Sequence, residues 1–560
     1  MLKYFKFILI LILFLQGPLY SKTVNKNEFN SKNFSTYFSA LISYNNQKNS
    51  DALKFFNLSK PLINKYDPYL KKYIFSLILE GKIKRAVKEI NNNLDQKNSD
   101  FFEAYLLLLL DSVKKGNIKK SNYYLQKLSK FKDYGTLELI IYETLKNYLY
   151  TFENKKINKN KNMFQNLNLI NKTFQSCYLE KEDTDTYFVN LINNPDIDYS
   201  RYLYFYINYL IHKNRFEEIE EIINEIDTLN STLLVLQLKS WVDKKHFNNI
   251  SSIFSCKSES DILSEFFFII ANIYSSQEEY ETSNLFLNIS NFLNPKFRFN
   301  LSLLTENYYN NSNYKKTEEI LNRFNKKDEI YHWYKIKKKT QIISKESGQE
   351  EAIDYINTKF KKIDNPSIKI FFDMANIAKG FKKYQSAIDY YDIVISKVEK
   401  NSESYSDLLY RRGGSYERLG EYEKSDKDLL KSLEINPNDA YVLNYLAYSW
   451  LERDYKIEKA IQMLDEAYNQ KSNDPYIIDS VGWGYYLVKD FNNAEKFLKK
   501  ALQLMPNDPI VNDHYGDVLW NMERKIEAKY YWEAVLTFKD TEDQMKENIY
   551  IKLLIGPEKI

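Results

Sequence analysis

Asp513, His514 and Asp517 stand one and four residues apart, which brings two carboxylates and an imidazole to one side of a helix. Such a set could hold a cation or exchange a proton. A metal centre needs more ligands, and the other histidines, His212, His246 and His332, lie far away in sequence. We therefore read the set as structural and expect no metal. Ser480 precedes Val481 and Gly482, but Asp479 occupies the preceding position, so the glycine-flanked pattern of a nucleophile elbow is missing. No glycine-rich phosphate loop occurs anywhere. Cys177 and Cys256 form neither a disulfide framework nor a metal-ligand spacing, and nothing in the sequence brings them together. No catalytic residue and no cofactor are expected, and the chain does not read as an enzyme.

The elements that must position these residues follow a repeat. Ala271, Thr305, Thr340, Ala375, Gly413, Ala447, Gly482 and Gly516 are separated by 34, 35, 35, 38, 34, 35 and 34 residues. A second column trails by 12 or 13 residues: Ser283, Thr317, Ala352, Ala387, Ser425, Ala460, Ala494 and Ala528. Apolar residues three and four apart flank each member, so each unit predicts two helices whose backbones meet where side chains are small. One hairpin buries too little to stand alone, and stacking supplies the core. Pro437 and Pro506 close units, and Asn-Asp-Pro at 473–475 and 507–509 supplies helix stop-and-start chemistry.

This pattern resembles the tetratricopeptide repeat, whose small–aromatic–small–proline signature is matched at Gly482, Tyr485, Ala494, Ala501 and Pro506. The resemblance covers four units over 406–540 and extends less regularly over 263–400, where Lys339 stands at a normally apolar position. It implies an all-α fold, an α-solenoid forming a right-handed superhelix, with a concave face lined by the first helix of each unit. Carrying the family's groove positions across gives Asp407, Tyr410 and Glu417, then Tyr441, Asn444 and Tyr448. The next two units give Tyr476, Asp479, Trp483 and Tyr486, then Ile510, Asp513, Asp517 and Trp520. The resemblance implies that Asn444, Asp479 and Asp513 form a polar ladder flanked by Tyr448 and Trp483. Such a groove suits an extended protein or peptide partner, with basic residues on it favoured. The stretches around Asp479–Trp483 and Asn512–Asp517 further resemble exported tetratricopeptide proteins of the bacterial envelope.

Outside this array, Ala52, Ala86 and Ser121 mark three more hairpins over 32–134. Residues 135–261 read as irregular or degenerate helical repeats, 262–541 as the main array, and 542–560 as a capping amphipathic helix and tail. Residues 1–21 read as a signal peptide: Lys3 and Lys6, an apolar run from Phe7 to Leu15, Gly17-Pro18, and a cut after Ser21. An uncleaved inner-membrane anchor is the alternative. Seventy-nine basic against 75 acidic residues leave a net charge of +4 without a basic stripe, which argues against nucleic acid. The expected function is a non-enzymatic, periplasmic scaffold of the cell envelope, with a possible membrane-complex association. A polysaccharide-handling scaffold, or a non-catalytic subunit of an envelope enzyme complex, is the alternative.

Overall fold

The computed structural model describes residues 31–557 apart from 95, 159–164, 194–199, 325–327 and 540. The leader read at 1–21 lies outside the described residues. Among the described residues there are thirty α-helices, three short 3-10 turns and no strand. None of these helices is long and apolar enough to cross a membrane.

The helices pair as hairpins, and both small columns lie at the seams. Ala271, Thr305, Ala375 and Ala447 have no accessible surface, nor do Ser283, Thr317, Ala352, Ala387, Ser425, Ala460, Ala494 and Ala528. Among the hydroxyl members, Ser283 bonds across the seam, its Oγ donating to the Ala271 carbonyl at 2.7 Å, whereas Thr305, Thr317 and Thr340 donate back to carbonyls four residues earlier. Ser406 and Ser432 donate to each other's carbonyls at 3.0 Å. A Cβ added at Gly482 would stand 2.6 Å from Leu498 Cγ, and one at Gly516 would overlap the Trp532 indole. At these two positions glycine is required by close approach, not by backbone angle.

The turns inside the hairpins carry a feature that the residue types conceal. A left-handed residue recurs at Gln47, Gly81, Gly116, then Asn214, Lys245, Glu278, Ser312, and finally Lys382, Gly420, Lys489 and Glu523. Only three of these are glycine, so most turns hold a side chain in a conformation that costs about 1 kcal/mol. The starts of the last first-helices are better provided. Asp439, Asp474 and Asp508 each accept two backbone N–H groups, and Pro475 and Pro509 occupy the first helical turn.

Packing divides the chain into two compact units, 1–226 with 231–348, and 227–230 with 349–560. The boundary falls inside 262–541, in the turn between the two helices of the poorly matched unit around Thr340, Glu329–Glu346 and Gln349–Phe360. In the first unit the N-terminal hairpins fold back on the hairpins of 259–321. Asn288 Nδ2 donates to the Leu79 carbonyl at 3.2 Å, and Lys316 pairs with Glu80 at 2.9 Å. Cys177 and Cys256, which the sequence left apart, are joined by a disulfide across 79 residues. Cys177 lies in the helix Gln165–Tyr178 and Cys256 in the turn before Glu259–Ser276, a meeting that linear spacing cannot reveal.

The second unit ends in the helix Asp543–Ile555, stopped by Gly556 at φ +84°. It starts 34 residues after Pro509, where another first helix would begin. Contrary to the sequence reading, this helix is not amphipathic. Ile549 faces the array, but Tyr550, Ile551, Leu554 and Ile555 are all more than half exposed.

Candidate binding groove

The first helices of the last four hairpins are Glu403–Arg418, Ala440–Leu451, Pro475–Leu487 and Pro509–Asn521. Their facing sides bound a cleft of about 600 Å³ containing Glu417, Asn444, Tyr448, Glu452, Asp479 and Ile510. Along one edge, two residues after each capping aspartate, stand Tyr441, Tyr476 and Ile510, exposed by 49, 64 and 53%. The cap fixes the start of each helix and so fixes the rung. Tyr441 also donates its hydroxyl to Asp474 Oδ2 at 3.3 Å.

Inside the cleft two polar groups lack partners among the described residues: Asn444 Oδ1 and Ser449 Oγ are buried without a hydrogen bond. Ser449 was not among the residues carried over from the family, because its position lies off the expected stripe. The acidic side chains at the back are engaged. Glu417 accepts from the Tyr445 hydroxyl at 3.0 Å, and Glu452 accepts from Trp483 Nε1 at 2.6 Å.

Several expected groove residues are instead parts of a buried network. Asp479 is 7% exposed and meets His514 Nδ1 at 3.0 and 3.1 Å. The Trp483 ring stacks on that imidazole at 4.0 Å and on Tyr486 at 4.6 Å. Lys552, from the last helix, bonds Asp513 at 2.6 Å and Asp517 at 2.8 Å. Trp520 packs on Trp532 at 5.4 Å, and a Cβ at Gly556 would overlap its ring. Tyr486 and Asp517 are therefore corrected from groove surface to interior, and Asp479, which still lines the cleft, is nearly buried and held by His514. Each is covered by the following helix, and a position within one repeat does not specify that cover. The ladder of Asn444, Asp479 and Asp513 is accordingly broken at Asp479.

Burial lowers the imidazole's affinity for a proton, but the charges of Asp479, Asp513 and Asp517 outweigh it and leave His514 above its ordinary value. Burial pushes Asp517 up to about 6, against the pull of Lys552. No three His, Cys, Asp or Glu side chains among the described residues are grouped to hold a metal ion. The Asp513–His514–Asp517 set, which pointed to a cation only by spacing, is a structural joint between successive first helices.

Residues 406–439 match the family model described as tetratricopeptide repeat. Over 110 residues the chain is 33% identical to the TPR repeat-containing protein PA4667 of Pseudomonas aeruginosa, covering 20% of this chain and 18% of that protein. Among solved structures, TTC0263 of Thermus thermophilus, a thermophilic TPR protein, covers 34% of this chain and all of its own at 16% identity, with a TM-score of 0.31. PilF of Pseudomonas aeruginosa covers 33% of this chain and 82% of its own at 18% identity, with a TM-score of 0.29.

Proposed function

We propose that this chain, whose residues 406–439 match the tetratricopeptide-repeat model, is a protein–protein interaction scaffold whose last four repeats hold an extended segment of a partner protein. One observation carries the reading: exposed Tyr476 and Ile510, in line with exposed Tyr441, border a cleft whose Asn444 Oδ1 and Ser449 Oγ have no hydrogen-bond partner among the described residues. Rings and an aliphatic side chain left open in a row offer apolar contact, and unpaired polar atoms behind them offer bonds to a peptide backbone. Neighbouring helices pack about 10 Å apart, and a partner in the extended polyproline II conformation advances about 3.1 Å per residue with three residues per turn, so every third side chain of the partner meets a rung. Beside the rungs stand Asp439, Asp474 and Asp508, which favour lysine or arginine between the apolar positions.

The proposed setting is the bacterial envelope, after export. A basic-then-apolar leader supports it, as does the Cys177–Cys256 disulfide, since such bonds persist in oxidising compartments. Scaffolds of this repeat type are generally non-catalytic, and the groove works by preformed shape. The test is selection of peptides from a random library on the full chain, followed by affinity measurement. Enrichment of basic peptides with apolar residues at every third position is expected. Tyr441→Ala with Tyr476→Ala should weaken them at least about tenfold, with unchanged circular dichroism. Trp483→Ala is the poorer probe, because that ring is packed on His514. Equal binding by the tyrosine double variant would remove the groove assignment.

A further inference from the structure

A second cleft lies in the first unit, where the repeats lose their regular form. The hairpin formed by Leu233–Asp243 has a second helix, Phe247–Ser251, of only five residues. In the next hairpin the second helix, Tyr280–Leu293, has 14. The missing turns leave a space of about 620 Å³, within the range of small-molecule sites. It is closed on one side by the segment Pro295–Arg298, anchored where Asn294 Nδ2 donates to the Ile253 carbonyl at 2.9 Å.

Three features of the cleft point to an occupant. Gln237 is 2% exposed, yet its Oε1 has no hydrogen-bond partner among the described residues. A buried amide left unpaired is costly, and a ligand donor directed at it removes that cost. The walls around it are aromatic: Trp241, Phe297 and Tyr331. At the mouth Lys244 is matched by Glu329 at 3.5 Å, whereas among the described residues Lys296 Nζ donates to the Ser252 carbonyl and makes no ion pair. The Arg298 guanidinium makes no ion pair or hydrogen bond among the described residues. Its charge is felt by Arg323, whose proton affinity is lowered first by burial and then by Arg298. Asp328 also borders the cleft; burial raises its proton affinity and the charge of Arg298 lowers it, so an incoming anion would share Arg298 with this carboxyl group.

We propose that this cleft binds a small organic anion with an aromatic or apolar body. Its acid group would lie on Lys296 and Arg298, its body against Trp241 and Phe297, and an N–H or O–H of the ligand would donate to Gln237 Oε1. Carboxylate and phosphate share this chemistry, since a guanidinium and an ammonium hold either. The site is independent of the peptide groove and stands or falls separately from it.

The test is calorimetric titration of the full chain with phenyl phosphate, benzoate, inorganic phosphate and neutral phenol, with intrinsic fluorescence followed in parallel. Saturable binding of phenyl phosphate or benzoate is expected, at least about tenfold tighter than inorganic phosphate or phenol. Whichever of the two binds tighter identifies the acid group. The fluorescence change should vanish in Trp241→Phe. Lys296→Ala with Arg298→Ala should weaken binding about tenfold or more, and Lys296→Arg should retain it. Gln237→Leu should also weaken binding of a ligand that carries a donor, while leaving the melting temperature equal or higher, because an unpaired buried amide is removed. The proposal is overturned if no anion binds saturably, if phenol binds as tightly, or if binding ignores the Lys296 and Arg298 changes.

Discussion

The last four hairpins and the stretch from Thr136 to Phe254 use one kind of unit and hold it together differently. In the former, backbones meet at Gly413, Ala447, Gly482 and Gly516, and the side chains opposite close over them. In the latter, rings interdigitate instead. Phe205 lies 4.5 Å from Phe254 and 5.2 Å from Phe174, and the Cys177–Cys256 bond crosses the same region. Arg201 adds a bidentate pair with Glu265 at 2.8 and 2.7 Å, its guanidinium 3.6 Å above Phe268. Small seams enforce one spacing and one register, and so yield a regular groove. Ring packing tolerates helices of unequal length, and so leaves an irregular cleft.

The largest way to break this contrast is Gly516→Leu. The Cβ alone overlaps the Trp532 indole, so the loss should exceed the roughly 3 kcal/mol of ordinary overpacking. Urea unfolding followed by far-ultraviolet circular dichroism should show the transition of 349–560 displaced. The converse substitution pair, Cys177→Ser with Cys256→Ser, should cost about 4 kcal/mol by releasing a long loop in the unfolded chain. Amide hydrogen exchange should place that loss within 136–262 and leave the last four hairpins protected. A smaller effect separates the caps from the seams. Asp508→Ala removes two N–H acceptors and should cost about 1 kcal/mol, with faster exchange at Ile510 and Val511.

The last effect appears only in a pH window. His514 has a folded proton affinity above its unfolded one, so its stabilisation is complete below about pH 6.5 and is lost as pH rises through the folded value. Asp517, raised to about 6 from an ordinary 3.8, acts in the same sense at lower pH. The denaturant midpoint of the wild type should therefore rise relative to His514→Gln as pH falls from 8 to 6.5. A gap that is constant with pH would remove His514 from the joint.

Much of the fold was legible because seams demand small residues. The spacing of Ala447, Gly482 and Gly516 survives any change on the surface. The caps were legible too, since aspartate before proline has few other uses. The left-handed turns were not, because Lys489 and Glu523 carry ordinary side chains where glycine would have announced the turn. The groove was half legible. Tyr441 and Tyr476 stand open where the repeat places them, but Asp479 and Tyr486 are closed off by residues of the next helix. Ser449 and Gln237 gave no signal, since a polar residue lacking a partner looks in sequence like one that has found one.

By itself the sequence determined the period, the pairing of helices and the face each residue takes, because these depend on neighbours three, four and twelve positions away. Tertiary structure alone decided which of those faces are covered. It brought Cys177 to Cys256, His514 over Asp479 and Lys552 between Asp513 and Asp517. Those contacts join residues 35 to 79 apart, where burial and charge pairing depend on how successive hairpins settle against each other rather than on any local pattern.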